Sequence, residues 1–386
     1  SVGDLTLAQN TAGLGYVQLR TILADVLENE RPLTFETLSE KKKELIEAEA
    51  YGLLEFVETD YTLDMVAGHA EAKAHLRAAA EAIKAGRPDV MPMGYLVSGP
   101  VGTGKTFMVT TFAGEIGIPM VKLKNFRSQW QGVTEGNLEK ILTLLRAMNP
   151  VAVMIDEADA ALGDRSASGD SGVSSRVFGQ IAQAMSDTRF RGKIIWFLVT
   201  ARPDLMPVDL KRQGRAEEHL GLFYPSTRSD REELIKVMMR KTGVEVEMSE
   251  IPEALLDGER TYSGADMEAL LTRAKFRAAT HALDEPAPES AADLASGDGM
   301  AEPDVPLAPS ELKASDAGPK PIDREILQAV VEDFVPPSYP LQVELQTLVA
   351  VMECTSRSML PERFRSLDRE ATVRRVGELK RLVGER

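Results

Sequence analysis

The sequence predicts an α/β fold, a parallel β-sheet flanked by helices, followed by an α-helical subdomain. Three observations carry that expectation. Short apolar runs alternate with helix-length segments between residues 94 and 200, the pattern of parallel strands joined by crossover helices. A glycine-rich turn ending in Gly104-Lys105-Thr106 follows the first of these runs and opens a helix. From Ser229 onward strand signals stop and helix-start signals take over.

At about 150 residues per domain, a chain of 386 residues suggests two or three domains. Residues 1–54 read as a helical segment or linker, with residues 35–50 charged and helix-favouring. Residues 55–225 hold the α/β module, with strands expected at Gly94–Ser98, Pro119–Leu123, Val151–Ile155 and Lys193–Thr200. Helices are expected at Lys105–Glu115 and Asn137–Met148. Residues 226–386 read as a helical lid, in which Ser229-Asp-Arg-Glu232 and Ser263-Gly264-Ala265-Asp266 have capping-box form. Between residues 285 and 321 the composition changes. Seven of the 21 prolines fall there with Gly, Ser and acidic residues and no aromatic, which predicts a flexible insertion. A charged helix near Arg369–Val383 closes the chain.

Composition excludes several classes. The 45 basic and 60 acidic residues leave a formal charge of −15, which disfavours a nucleic-acid partner, since phosphate neutralisation needs a basic face. One cysteine, Cys354, permits no intramolecular disulfide and fits a reducing compartment. The four histidines fall in no zinc-ligand spacing. No apolar run is long enough to span a membrane and no signal peptide is visible, so a cytoplasmic location is expected. The chain opens on Ser1, as a processed or excised piece does.

Gly99-Pro100-Val101-Gly102-Thr103-Gly104-Lys105-Thr106 is a full G-x-x-x-x-G-K-[ST] phosphate loop between a strand and a helix. Its glycines let backbone N–H groups curl around phosphate oxygens, and the helix N-terminus adds positive potential. Residues Gly99 through Phe107 are therefore candidates for ATP binding, with Lys105 on the β/γ-phosphates and the Thr106 hydroxyl on Mg²⁺. The strand Val151–Ile155 ends in Asp156-Glu157. Alone, that pair could be a solvated acidic rim. Beside a phosphate loop, Asp156 is expected to hold Mg²⁺ and Glu157 to orient and polarise the attacking water. Nucleoside triphosphate hydrolysis follows.

These motifs and their surroundings resemble the AAA+ ATPases, specifically the AAA clade in its narrow sense, from about Glu55 to Gly264 and on toward Pro361. Leu63-Asp-Met-Val66-Ala67-Gly68 is similar to the family's D-V-A-G segment, which implies an adenine pocket at Val66, Ala67 and Gly68. Gly264 and Ala265 resemble its second sensor, which approaches the nucleotide. Ser128-Gln-Trp130-Gln-Gly132 resembles the first pore loop, implying that Trp130 grips substrate in a ring's channel. The flanking glutamines and glycine also favour a loop tip over a core position. Trp196, inside an apolar strand, reads as core. Arg212 and Arg215 match the family's arginine fingers, which complete a neighbouring subunit's site and imply a homo-oligomeric ring, a hexamer by resemblance.

Two departures stand out. The first sensor, usually Asn, is Ala201 in Thr200-Ala-Arg-Pro203, so Thr200 inherits the role or hydrolysis is slow. The usual Phe-Asp after the second finger is Ala216-Glu217. Gly169-Asp-Ser-Gly-Val-Ser-Ser-Arg176-Val-Phe-Gly179, with Gly52-Leu-Leu-Glu-Phe56, narrows the likeness to a plastid, cyanobacterial and bacterial AAA group with a degenerate N-terminal module. Leu7 to Leu14 is patterned like a second-sensor helix, so residues 1–30 are expected to be the tail of such a module. The resemblance implies a protein-remodelling or threading motor. A nucleotide-dependent assembly or regulatory factor is the alternative. A nucleic-acid motor is disfavoured by charge, and a protease by the lack of any peptidase signature.

Overall fold

Apolar residues on both sides of a strand need cover on both faces, and the sheet here has it. A computed structural model of the chain describes residues 20, 43–44, 46–50, 52–124, 135–162, 171–257, 260–284, 322–335 and 339–384. The strands are β1 (Leu54–Phe56), β2 (Gly94–Ser98), β3 (Met120–Leu123), β4 (Val151–Ile155), β5 (Ile194–Thr200) and β6 (Glu218–Gly221), in spatial order β1-β3-β4-β5-β2-β6. All neighbours are parallel except β1, which runs antiparallel to β3. The four expected strands are present. β1 and β6 were not expected as strands, because each is short and interrupted by a charged or polar residue, Glu55 in one and Glu218-His219 in the other.

Period-two alternation sorts the strand side chains into two cores. Val151, Val153 and Ile155 of β4, with Ile194, Trp196 and Leu198 of β5, face one core. Helices α3 (Glu135–Met148) and α4 (Ser171–Met185) add Leu138, Ile141, Leu145, Ile181 and Met185 to it. Ala152, Met154, Ile195, Phe197 and Val199 face the other, covered by α1 (Ala70–Lys84) and α2 (Lys105–Ile116) through Leu76, Met108, Val109 and Phe112. Each fully buried Val, Leu, Ile, Phe or Met side chain among them contributes about 1.5–3 kcal/mol. Trp196 is core, as its strand implies.

The chain divides into two compact units, residues 1–234 with 337–386, and residues 235–336. The second unit takes in most of α5 (Arg228–Thr242), then α6 (Gly264–Asp284) and α7 (Arg324–Asp333). Helices α6 and α7 pack on each other, with the Arg273 guanidinium 4.9 Å from the Phe334 ring centroid. The capping box of α6 forms as expected: the Ser263 backbone N–H and hydroxyl donate to Asp266 Oδ2, and Asp266 N–H donates back to Ser263 Oγ. For α5 the expected box at Ser229 and Glu232 is corrected to Thr227 and Asp230. Thr227 precedes an acidic residue by the same three positions, and helix propagation from it leaves Ser229 inside the first turn.

The unit division also differs from the boundary expected at residue 226. Helices α8 (Pro340–Glu353) and α9 (Arg369–Leu382) belong to the α/β unit. They pack together through Leu345, Val349, Val376 and Leu379. Ala350 and Leu360 then close over Phe223, just beyond β6. The expected insertion 285–321 lies outside the described residues.

Candidate active site

In open parallel sheets, ligands bind beyond the carboxyl ends of the strands. The carboxyl ends of β2, β5 and β4 lie side by side here, and from them project the phosphate loop, Thr200 and Asp156-Glu157. Gly99, Gly102 and Gly104 adopt φ of 149°, 78° and 81°, conformations that side chains resist. At Gly99 the constraint is also steric, since a Cβ there would lie 2.0 Å from the Leu222 carbonyl oxygen. The loop is closed by Lys105 Nζ and Thr103 Oγ1 donating to Pro100 O at 2.8 and 2.9 Å. Burial pushes the Lys105 ammonium down to about 8, against the opposing pull of Asp156 and Asp159. Incoming phosphates compensate such a charge. Val101 is braced at the loop's outer side, its N–H donating to Gln346 and its carbonyl accepting from the Tyr224 hydroxyl. Thr106 and Phe107 begin α2, and Phe107 rests against the Tyr61 ring.

Thr106 Oγ1 donates to Asp156 Oδ1 at 3.2 Å, joining the two halves of the predicted site. Glu157 is exposed at φ 49°, and its N–H donates to Asp156 Oδ1 at 3.0 Å. That left-handed turn separates the two carboxylates, one facing Thr106 and one left to solvent. A hydroxyl and a carboxylate oxygen form a hard donor pair suited to Mg²⁺. Among the described residues no group of three or more His, Cys, Asp or Glu could hold a metal alone.

Thr200 is buried, and its hydroxyl is already engaged, donating to Asp159 Oδ1 at 2.6 Å and accepting from Arg202 N–H at 2.9 Å. Asp159, in the turn of helix after Glu157, is a site residue the motif reading missed; only its i+2 spacing from Glu157 could have drawn notice. Val66, Ala67 and Gly68 form the turn before α1, and Lys73 Nζ fixes that turn by donating to Val66 O at 2.8 Å and to Glu233 at 3.1 Å. His69, also unforeseen, follows this turn in a left-handed conformation, and burial with nearby Lys73 pushes its imidazole down to about 4.

Arg212 and Arg215 lie just before β6, whereas the phosphate loop follows β2. Because β2 and β6 are parallel, with Tyr95 opposite Glu218 and Ser98 opposite Gly221, the arginines and the loop sit at opposite ends of one strand pair. Arg212 is exposed and pairs loosely with Asp209 at 3.1 Å. Arg215 is mostly buried, donates to the Asp209 carbonyl at 2.7 Å and leaves Nε without a partner. Glu217 anchors this segment. It takes both terminal nitrogens of Arg191, at 2.8 and 2.6 Å, and the N–H groups of Met93 and Gly214. Gly264 and Ala265 start α6 in the second unit. Trp130 lies outside the described residues, as do residues 1–19.

Comparison with known proteins agrees with this arrangement. The family model of the ATPase family associated with various cellular activities (AAA) matches residues 95–224, and that of the AAA+ chaperone second helical domain matches residues 1–51. Protein SAV of Sulfolobus acidocaldarius is 31% identical over 191 residues, which is 48% of this chain and 24% of that protein. The cell division cycle protein 48 homolog of Archaeoglobus fulgidus is 30% identical over 185 residues, 47% of this chain and 25% of its own length. An ATP-dependent zinc metalloprotease FtsH of Marinobacter nauticus is 32% identical over 237 residues, 58% of this chain and 36% of its own. The chain thus spans about a quarter to a third of these curated relatives. It contains no HExxH sequence. Among the described residues no helix is long and apolar enough to cross a membrane.

Proposed function

We propose, from the premise that residues 95–224 are an AAA ATPase domain, that the chain is an Mg²⁺-dependent, ring-forming ATPase that remodels or threads a protein substrate. The observation that carries the ATPase chemistry is the Thr106–Asp156 contact at 3.2 Å, which brings the phosphate loop and the acidic strand end to one point. In this reading the N–H groups from Gly99 to Phe107 and the Lys105 ammonium bind the β/γ-phosphates. Thr106 and Asp156 would hold the cation, which when bound would supply positive charge to the phosphate oxygens. Glu157 takes a proton from the water that attacks the γ-phosphorus as the bond to the bridging oxygen breaks. The turn Val66-Ala67-Gly68, fixed by Lys73, receives adenine. Thr200 orients polar groups beside Glu157 through Asp159. Residues 1–54 are a helical segment or linker ahead of the α/β module at 55–225, a reading that the match of residues 1–51 to a helical AAA+ domain supports, and within residues 226–386 the lid is the second unit, residues 235–336.

Arg212 and Arg215 act on a neighbouring subunit's nucleotide, which their position at the far end of β2 and β6 from their own loop supports. Ring formation, a hexamer by family likeness, then becomes a requirement for turnover. Trp130 grips the substrate. The second reading, a nucleotide-dependent assembly factor that binds without threading, is favoured by Ala201, whose methyl cannot orient a water, and by the Thr200 hydroxyl, which is already engaged by Asp159. Two variants test the pair. Glu157→Gln is expected to retain ATP while lowering turnover by at least about 10²-fold. Trp130→Ala is expected to keep basal hydrolysis and lose processing of proteins captured with Glu157→Gln; intact processing would leave the assembly-factor reading.

A further inference from the structure

Strand β3 carries a lysine where its neighbours carry apolar side chains. Its residues Met120, Val121 and Leu123 are buried, and Lys122 alone is half-buried. Alternation puts Lys122 on the same sheet face as Met120, the face that Met154 also occupies under α2. Lys122 lies opposite Met154 in the register, so Asp156, two residues beyond on the same face, is within its diagonal reach. The contact is made: Lys122 Nζ donates to Asp156 Oδ2 at 2.9 Å. Asp156 Oδ1 meanwhile accepts from Thr106 Oγ1 at 3.2 Å and from Glu157 N–H at 3.0 Å. Both oxygens of this carboxylate are therefore engaged, one of them by a full positive charge.

We propose that Lys122 is a positioning residue that holds Asp156 toward Thr106 and must yield when the nucleotide's cation arrives, so that it sets the Mg²⁺ concentration at which nucleotide is retained. This rests on the reading that Thr106 and Asp156 hold Mg²⁺. A dication held by Asp156 would share its carboxylate with the ammonium that sits 2.9 Å from Oδ2, and like charges repel at close range. The lysine can leave, because its side chain is 34% exposed and ends a flexible four-carbon stem. As an ion pair between partly exposed groups it adds little to stability, so its removal acts at the carboxylate rather than on the fold.

The experiment uses the full chain and titrates Mg²⁺ against a fluorescent ATP analogue at fixed, subsaturating concentration, with Mn²⁺ uptake in the presence of ADP followed by electron paramagnetic resonance. Lys122→Met is expected to lower the half-saturating Mg²⁺ by about two- to fivefold, the range of an exposed ion pair. Lys122→Gln gives the same direction should the apolar end disturb the strand, and Lys122→Arg, which keeps the charge, lowers nothing. A half-saturating Mg²⁺ that is unchanged or higher in both neutral variants overturns the inference. Asp156→Asn separates the two levels. If it leaves the Mg²⁺ dependence of binding intact, the metal assignment itself fails and the inference with it.

Discussion

His69 joins Gly68 to α1 at φ 53°, a left-handed conformation uncommon outside glycine. Burial together with nearby Lys73 pushes its imidazole down to about 4, against the opposing pull of Asp230 and Glu233. The unfolded chain protonates this histidine at 6.5, so between pH 6.5 and 4 the unfolded state binds more protons. The stability it contributes is full above pH 6.5 and is lost as the pH falls toward 4. A nucleotide-free chain is thus expected to lose Tm from pH 7 to pH 5, and His69→Asn, which tolerates the left-handed turn, is expected to flatten that loss; equal slopes in thermal melts would show that His69 does not carry it. The phosphate-loop residues were legible because their donors come from one contiguous stretch, and Asp156-Glu157 because they end a strand that must abut the loop. His69, Asp159 and Lys122 were not, since their roles come from contacts made only when β2, β3, β4 and α1 assemble. For Lys122 one signal was available: a charge inside a run that otherwise reads as a buried strand.

The segment carrying Arg212 and Arg215, proposed above as fingers, shows how a short element is held without regular structure. Between Pro207 and Glu218 the chain makes one short helix, Val208–Lys211, and then depends on side chains. Ala216 is buried, and Glu217 gathers Arg191, Met93 N–H and Gly214 N–H around one carboxylate. These hydrogen bonds hold the Glu217 carboxyl below the usual carboxylate range. Lys211 pairs with Glu353 of α8, and His219 Nδ1 lies 2.8 Å from the Glu353 carbonyl oxygen, so the carboxyl end of α8 braces both sides of the finger segment. Glu217 thus anchors the segment through Arg191, Met93 and Gly214. Glu217→Gln weakens the charged bonds to Arg191 and is expected to cost about 1–3 kcal/mol in chemical denaturation. A change under about 0.5 kcal/mol would mean the segment is held by Ala216 and α8 instead. Helix ends and long strands were readable from capping and periodicity. The loop was not, because its anchors, Met93, Arg191 and Glu353, are remote in sequence.

At the scale of the assembled molecule, the decisive question is whether one chain can complete its own site. Arg212 and Arg215 precede the amino end of β6, and the phosphate loop follows the carboxyl end of the parallel β2, so a chain's own sheet separates its arginines from its own phosphates. Arg212 is exposed beside Asp209, whereas Arg215 is largely buried against it, so of the two proposed fingers Arg212 is the better placed to reach a neighbour. Fingers acting between subunits make hydrolysis per chain rise with protein concentration, and make Arg212→Ala the costlier finger substitution, by up to about 10³-fold. Mixing separates this from an effect on folding. Glu157→Gln chains keep their fingers but not their own chemistry, and Arg212→Ala chains keep their chemistry but not their fingers. Each alone is expected to be nearly inactive. Combined in equal amounts and allowed to exchange, they form interfaces at which an intact Glu157 meets an intact Arg212, and up to about a quarter of the unmodified rate returns for random head-to-tail assembly. A mixture no more active than its parts, with subunit exchange verified by energy transfer between labelled chains, would show that Arg212 does not act across an interface.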